Sequence, residues 1–183
     1  FNDGAGGFAD STTVDGAGLQ PQRLIVADFS NDGLADLATG DRVEVTVRLN
    51  EGGRTFSPPV ALVVALGVNV VSMGAADFDG DGDVDIVTSY AQPPSSVGFA
   101  NSGTGAFNMG FPLGRPSFAR MVGHDADVDG ATDLILVPSQ GNTVTVLWNR
   151  QRQIAVPFEA PRTYDTNEPH TADIGDVDGD GDL

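Results

Sequence analysis

Residues 43–50, VEVTVRLN, alternate in character: Val43, Val45, Val47 and Leu49 fall on one face, Glu44, Thr46, Arg48 and Asn50 on the other. A period of two predicts a half-buried β-strand. NTVTVLWN at 142–149 repeats the pattern in register, with Val144, Val146 and Trp148 standing for Val45, Val47 and Leu49. Short apolar runs, RLIVADF at 23–29 and ARMVGHD at 119–125, predict further strands, as do DLAT, DIVT and DLILV. The apolar stretch 59–76 is interrupted by Gly67, Asn69, Ser72 and Gly74, and reads as two strands joined by a turn rather than a membrane helix. Helical periodicity is absent throughout.

Between the strands lie acidic runs: DFSNDGLADL at 28–37, DFDGDGDVDI at 77–86, DADVDGATDL at 125–134 and DVDGDGDL at 176–183. Their starts are 49, 48 and 51 residues apart. Positions 1, 5 and 9 of each complete run are Asp, position 6 is Gly (Gly33, Gly82, Gly130, and Gly181 in the last), and position 10 is Leu37, Ile86 or Leu134. A second signature keeps step, with Phe following Asn by six residues in 2–8, 50–56 and 101–107; a looser copy runs from Asn149 to Phe158. Two signatures at one spacing define an internal repeat. Each repeat holds about four strands: one into the acidic loop, one out of it, the alternating strand, and one at and after the Phe. Four strands in about 50 residues is the size of a β-propeller blade.

The expected fold is therefore all-β, a partial β-propeller of four-stranded antiparallel blades with about 49 residues per repeat. Residues 20–68, 69–117 and 118–166 are the expected blades. Residues 1–19 read as the outer strand of a preceding blade, and 167–183 as the first strand and truncated loop of a following one. This register leads us to expect a piece of a longer chain. Open blade edges offer a route to self-assembly as the alternative.

Composition narrows the chemistry. The formal charge is −17, with 26 Asp plus Glu against 9 Lys plus Arg, so neither nucleic acid nor an anionic membrane is an expected partner. There is no cysteine, which excludes disulfides and thiolate metal sites. The four acidic runs carry 16 of the 26 acidic residues. Carboxylates this dense repel one another unless a cation sits among them. Calcium takes six to eight oxygen ligands at roughly 2.3–2.6 Å and suits a tight loop in which positions 1, 3, 5 and 9 converge and position 7 adds a carbonyl. Magnesium demands stricter geometry, and zinc prefers His or Cys. Three bound calcium ions would bring the formal charge to about −11. An EF-hand wants Glu at position 12 and flanking helices, and a dockerin-like module places its loops close together between helices. Neither fits a β repeat.

The D-x-D-x-D-G-x-x-D-[LI] runs at 28–37, 77–86 and 125–134, with the Asn–Gly turns that end in Phe, resemble the FG-GAP/VCBS repeats, the calcium-binding blades of integrin α-subunit propellers and of many secreted proteins. The resemblance implies calcium ligands at Asp28, Ser30, Asp32 and Asp36; at Asp77, Asp79, Asp81 and Asp85; at Asp125, Asp127, Asp129 and Asp133; and at Asp176, Asp178 and Asp180. It implies carbonyl ligands at Leu34, Asp83, Ala131 and Asp182. Three sites would be complete and the fourth incomplete. Ser30 should make the first the weakest. Gly110 and Ser11 replace the proline that elsewhere follows the Phe, and 149–158 lose the glycine turn.

By the same resemblance the chain is an extracellular or cell-surface binding and adhesion scaffold for a protein or glycan ligand. A structural subunit of a surface filament or layer is one alternative, and the propeller part of a secreted lyase or hydrolase another. No G-x-S-x-G occurs, and the Asp residues are better used on calcium than on acid–base work, so catalysis is not expected. Arg23, Arg120, His124 and His170 precede acidic loops and read as solvated surface residues.

Overall fold

A computed structural model describes residues 11–14, 20–62, 69–91, 94–113, 120–138, 141–150 and 158–167. Fourteen strands and no helix occur among them. The first sheet contains β1 (Arg23–Ala27), β2 (Asp36–Gly40), β3 (Val45–Arg48) and β6 (Val60–Leu62), in that spatial order. Between β3 and β6, β4 (Asn50–Gly52) and β5 (Thr55–Phe56) form a small hairpin. The second sheet contains β7 (Val70–Ala76), β8 (Asp85–Ala91), β9 (Pro94–Asn101) and β10 (Phe107–Pro112). The third contains β11 (Arg120–His124), β12 (Asp133–Val137), β13 (Thr143–Leu147) and β14 (Arg162–Asp165). All pairings are antiparallel and each strand lies beside the next strand of its own sheet, the β4–β5 hairpin intervening between β3 and β6, which is the up-and-down order of a propeller blade. The first strands lie side by side, β7 between β1 and β11.

The expected alternation holds where the strands pair. Ala38 faces Val47 in the first sheet and Ile135 faces Val146 in the third, so Val146 occupies the place of Val47, as the sequence register predicts. Two details differ. Val43 precedes β3 and is exposed. Thr46, expected on the polar face, is buried because its hydroxyl meets that of Thr39 across the strands at 2.8 Å. The apolar stretch 59–76 does give two strands, β6 and β7; the turn between them, at 63–68, lies outside the described residues. So do most of the expected flanking pieces, 1–19 and 167–183.

Apolar side chains are buried between sheets. Phe29, Ala38, Val45 and Val47 of the first sheet pack with Val70, Ile86, Tyr90 and Phe99 of the second. Phe78 and Val87 of the second pack with Met121, Leu134, Leu136 and Leu147 of the third. The two interfaces are built alike. The Phe at position 2 of one acidic loop meets the Phe that ends the next repeat's Asn turn: Phe29 with Phe107, ring centroids 5.5 Å apart, and Phe78 with Phe158 at 6.1 Å. Such pairs add about 1 kcal/mol each beyond the area they bury.

Candidate metal centre

Each of the three acidic runs among the described residues forms the connection between the first two strands of its sheet. Its carboxylates are partly occupied in folding the loop itself. At position 1, Asp28 accepts from the backbone N–H of Ser30, Asp32 and Gly33. Asp77 accepts from Gly80 and Gly82, and Asp125 from Asp129 and Gly130. At position 5, Asp32, Asp81 and Asp129 accept from the N–H of Leu34, Asp83 and Ala131, two residues on. At position 9, Asp36, Asp85 and Asp133 are fully buried. One oxygen of each accepts from the backbone at position 2 (Phe29, Phe78, Ala126) and the other from the backbone of Asn50, Asn101 or Asn149.

The backbone turns demanded by this wrapping explain the glycines. Position 6 has positive φ in every described loop: 83° at Gly33, 94° at Gly82 and 90° at Gly130. Position 4 does too, at 56° for Asn31, 81° for Gly80 and 58° for Val128. Glycine and asparagine take this conformation readily, whereas a β-branched valine is strained there.

The structure brings Asp77, Asp79 and Asp85 together, with one oxygen of each within 4.8 Å of the others, and likewise Asp125, Asp127 and Asp133. Oxygens on a shell of about 2.4 Å radius lie at most about 4.8 Å apart, and neither set exceeds that span. Asp81 and Asp129, also expected as ligands, lie outside these two groups. In the first loop Ser30 takes position 3, and its buried hydroxyl has no hydrogen-bond partner. An orphaned oxygen in an acidic loop suits a cation. The carbonyls of Leu34, Asp83 and Ala131 accept no hydrogen bond from the described residues, whereas the next carbonyls, of Ala35, Val84 and Thr132, accept from Asn50, Asn101 and Asn149. The all-oxygen donor set fits a hard divalent cation. Asp176, Asp178, Asp180 and Asp182 lie outside the described residues.

Burial dominates the electrostatics here. It pushes the Asp85 carboxyl up to about 7, against the pull of N–H groups from Asn101 and Phe78. It raises Asp133 in the same way. Asp79 is raised by burial and then by the charge of Asp81. Metal-free, these carboxylates are held in a site that favours their neutral forms.

Three features were not read from the sequence. Asn101 donates its side-chain amide to the carbonyl of Phe29 in the preceding loop at 2.8 Å, and Asn149 does the same to Phe78 at 2.9 Å. Asn31 donates to the Asp83 carboxylate, joining adjacent loops at 2.6 Å. Arg150 bridges Asp127 and Asp129 at 2.6 and 2.7 Å. The corresponding residue after the Asn is Glu51 or Ser102 in the two preceding repeats. The shared Asn was a visible signal; its bond across sheets was not.

An FG-GAP-like repeat matches residues 28–88 and 125–183. The chain belongs to this family. These FG-GAP repeats carry the acidic loops described above at 28–37, 77–86 and 125–134, and at 176–183. No curated protein matches the chain. Among solved structures it is similar to a lectin of Agrocybe aegerita that recognises non-reducing terminal N-acetylglucosamine, with a TM-score of 0.55 and 20% identity. That likeness covers 79% of this chain and 38% of the lectin chain. The Tc holotoxin pore of Photorhabdus luminescens is also similar, at a TM-score of 0.47 and 23% identity, over 80% of this chain and 7% of that one. The FG-GAP repeats and the lectin likeness agree with the sheet order in giving a β-propeller architecture, here partial.

Proposed function

We propose that the chain is a calcium-stabilised, extracellular β-propeller that works as a binding scaffold for a glycan or protein ligand, without catalysis of its own. The observation that carries this reading is the convergence of Asp77, Asp79 and Asp85, repeated by Asp125, Asp127 and Asp133, in equivalent loops of adjacent sheets. Asp28, Ser30 and Asp36 supply a third, less charged set. Bound calcium replaces repulsion among these carboxylates with attraction and ties the first two strands of each sheet together. The carboxylates that would serve acid–base chemistry are engaged with loop N–H groups, which favours binding over turnover.

The lectin relative directs the first ligand search toward glycans, terminal N-acetylglucosamine among them. The test is a glycan array probed with the calcium-loaded chain and with chelator present. Calcium-dependent retention on a defined glycan or protein is the expected result. Saturable turnover of a substrate would overturn the non-catalytic reading.

A further inference from the structure

Away from the acidic loops, the first strands of all three sheets frame a cleft of about 330 Å³ lined by Arg23, Leu24, Ser72, Met73, Arg120, Met121 and Val122. Arg23, Ser72 and Arg120 each stand five residues before the first Asp of their loop, so the repeat itself aligns them. β7 lies between β1 and β11, which puts Ser72 between the two arginines. No carboxylate among the described residues lines the cleft.

Arg23 is fixed in place. Its Nε donates to the carbonyl of Val71 in the adjacent sheet at 2.6 Å, and one terminal nitrogen donates to Gln22 at 2.9 Å. A guanidinium has five N–H donors, so three remain for a ligand. The Arg120 guanidinium has no hydrogen bond or ion pair among the described residues. The walls are aliphatic or thioether, and the floor carries the buried Ser72 hydroxyl. We infer that this cleft binds a small organic carboxylate, its charge held by Arg23 and Arg120 and its carbon skeleton against Met73 and Met121. Guanidinium and carboxylate match in planar, two-point geometry, and the volume lies at the small-ligand end of protein pockets.

The chain's negative charge does not forbid this. Five residues of extended strand place the acidic loop roughly 16 Å from the arginine. The Debye length at physiological salt is about 8 Å, so the loop's field is largely screened at the cleft.

The inference is independent of the loops' metal chemistry, and its test is run at saturating calcium. Succinate is titrated against the full chain while arginine side-chain NMR signals are followed, with neutral succinamide as the control. All nine basic residues are arginine, so the signals report on every cationic side chain. Saturable shifts at Arg23 and Arg120 with succinate alone are expected. Arg120→Gln should weaken binding about tenfold, while Arg42→Gln, an exposed residue outside the cleft, should leave it unchanged. The Arg120 side chain makes no bond that holds the fold together among the described residues, so the variant reports binding. Absence of saturable shifts, equal binding of succinamide, or an unaffected Arg120→Gln would each overturn the assignment.

Discussion

The side-chain amide of Asn101 donates to the carbonyl of Phe29, 72 residues earlier and in the neighbouring sheet, at 2.8 Å. The same amide donates to Val84 at 3.0 Å, and the Asn101 backbone donates to Asp85. One residue thus joins the acidic loop of its own repeat to the loop before it. Asn149 repeats the arrangement with Phe78, Thr132 and Asp133. Replacing Asn101 by Ala takes one donor from each of two carbonyls, of which Phe29 keeps the Gly105 N–H at 2.8 Å, and this costs about 1–2 kcal/mol. Asn50→Ala loses its bond to Ala35 in a more exposed setting and should cost less. Equilibrium urea unfolding of the two variants checks this; equal losses would mean that the bond across the sheets contributes nothing.

Val128 is the one β-branched residue at the left-handed fourth position, and its side chain is exposed. The conformation costs an L-residue roughly 1–2 kcal/mol, less for asparagine, which the first loop uses at the same place. Val128→Asn should therefore raise stability by about 1 kcal/mol, read as an increase of several degrees in the unfolding midpoint. Gly130→Ala, two residues on, should do the opposite.

Asp85 gives the metal-free protein a defined pH response. Its native carboxyl titrates at about 7, well above its ordinary unfolded value of about 3.9. Between the two the native state binds more protons, so the contribution of Asp85 to stability is greatest below about pH 4 and falls as pH rises toward 7. Asp133 adds to the trend in the same direction. In chelator, the melting temperature at pH 5 should exceed that at pH 7.5, and Asp85→Asn should flatten the slope. Calcium favours ionised carboxylates, so saturating calcium should reverse the trend. An unchanged slope in Asp85→Asn would remove Asp85 from the explanation.

Arg150 lies between Asp127 and Asp129, and the two carboxylates hold its proton more firmly than usual. Asp129 is lowered first by the Ala131 N–H and then by Arg150. The guanidinium offsets charge that a metal ion would otherwise neutralise. Arg150→Gln should lower stability in chelator and raise the calcium affinity of the third loop severalfold, measured by titration calorimetry. Unchanged affinity would mean that Arg150 does not compete with the ion.

The parts of this molecule that repeat in sequence were legible in it. Two signatures at one spacing gave the repeat, and VEVTVRLN against NTVTVLWN gave the strand register that places Val146 where Val47 stands. What stayed hidden depends on contacts between repeats. The Asn that marks each turn is visible as a letter, but its bond to Phe29 or Phe78 exists only once sheets are side by side. Position 4 of the loop varies among Asn31, Gly80 and Val128, so its common backbone conformation was masked by the valine. Arg23 and Arg120 read as solvated surface residues until adjacent strands brought them to one cleft.

The central claim is that the acidic loops are structural calcium sites. It is tested most directly by thermal unfolding in calcium, in magnesium and in chelator, with metal content determined per chain. The account expects a large stabilisation specific to calcium, with two firmly held ions for the loops of Asp77 and Asp125 and a weaker one at Ser30. No retained metal and identical melting in all three conditions would contradict it, and would leave the acidic runs as turns of a β-propeller that folds without an ion.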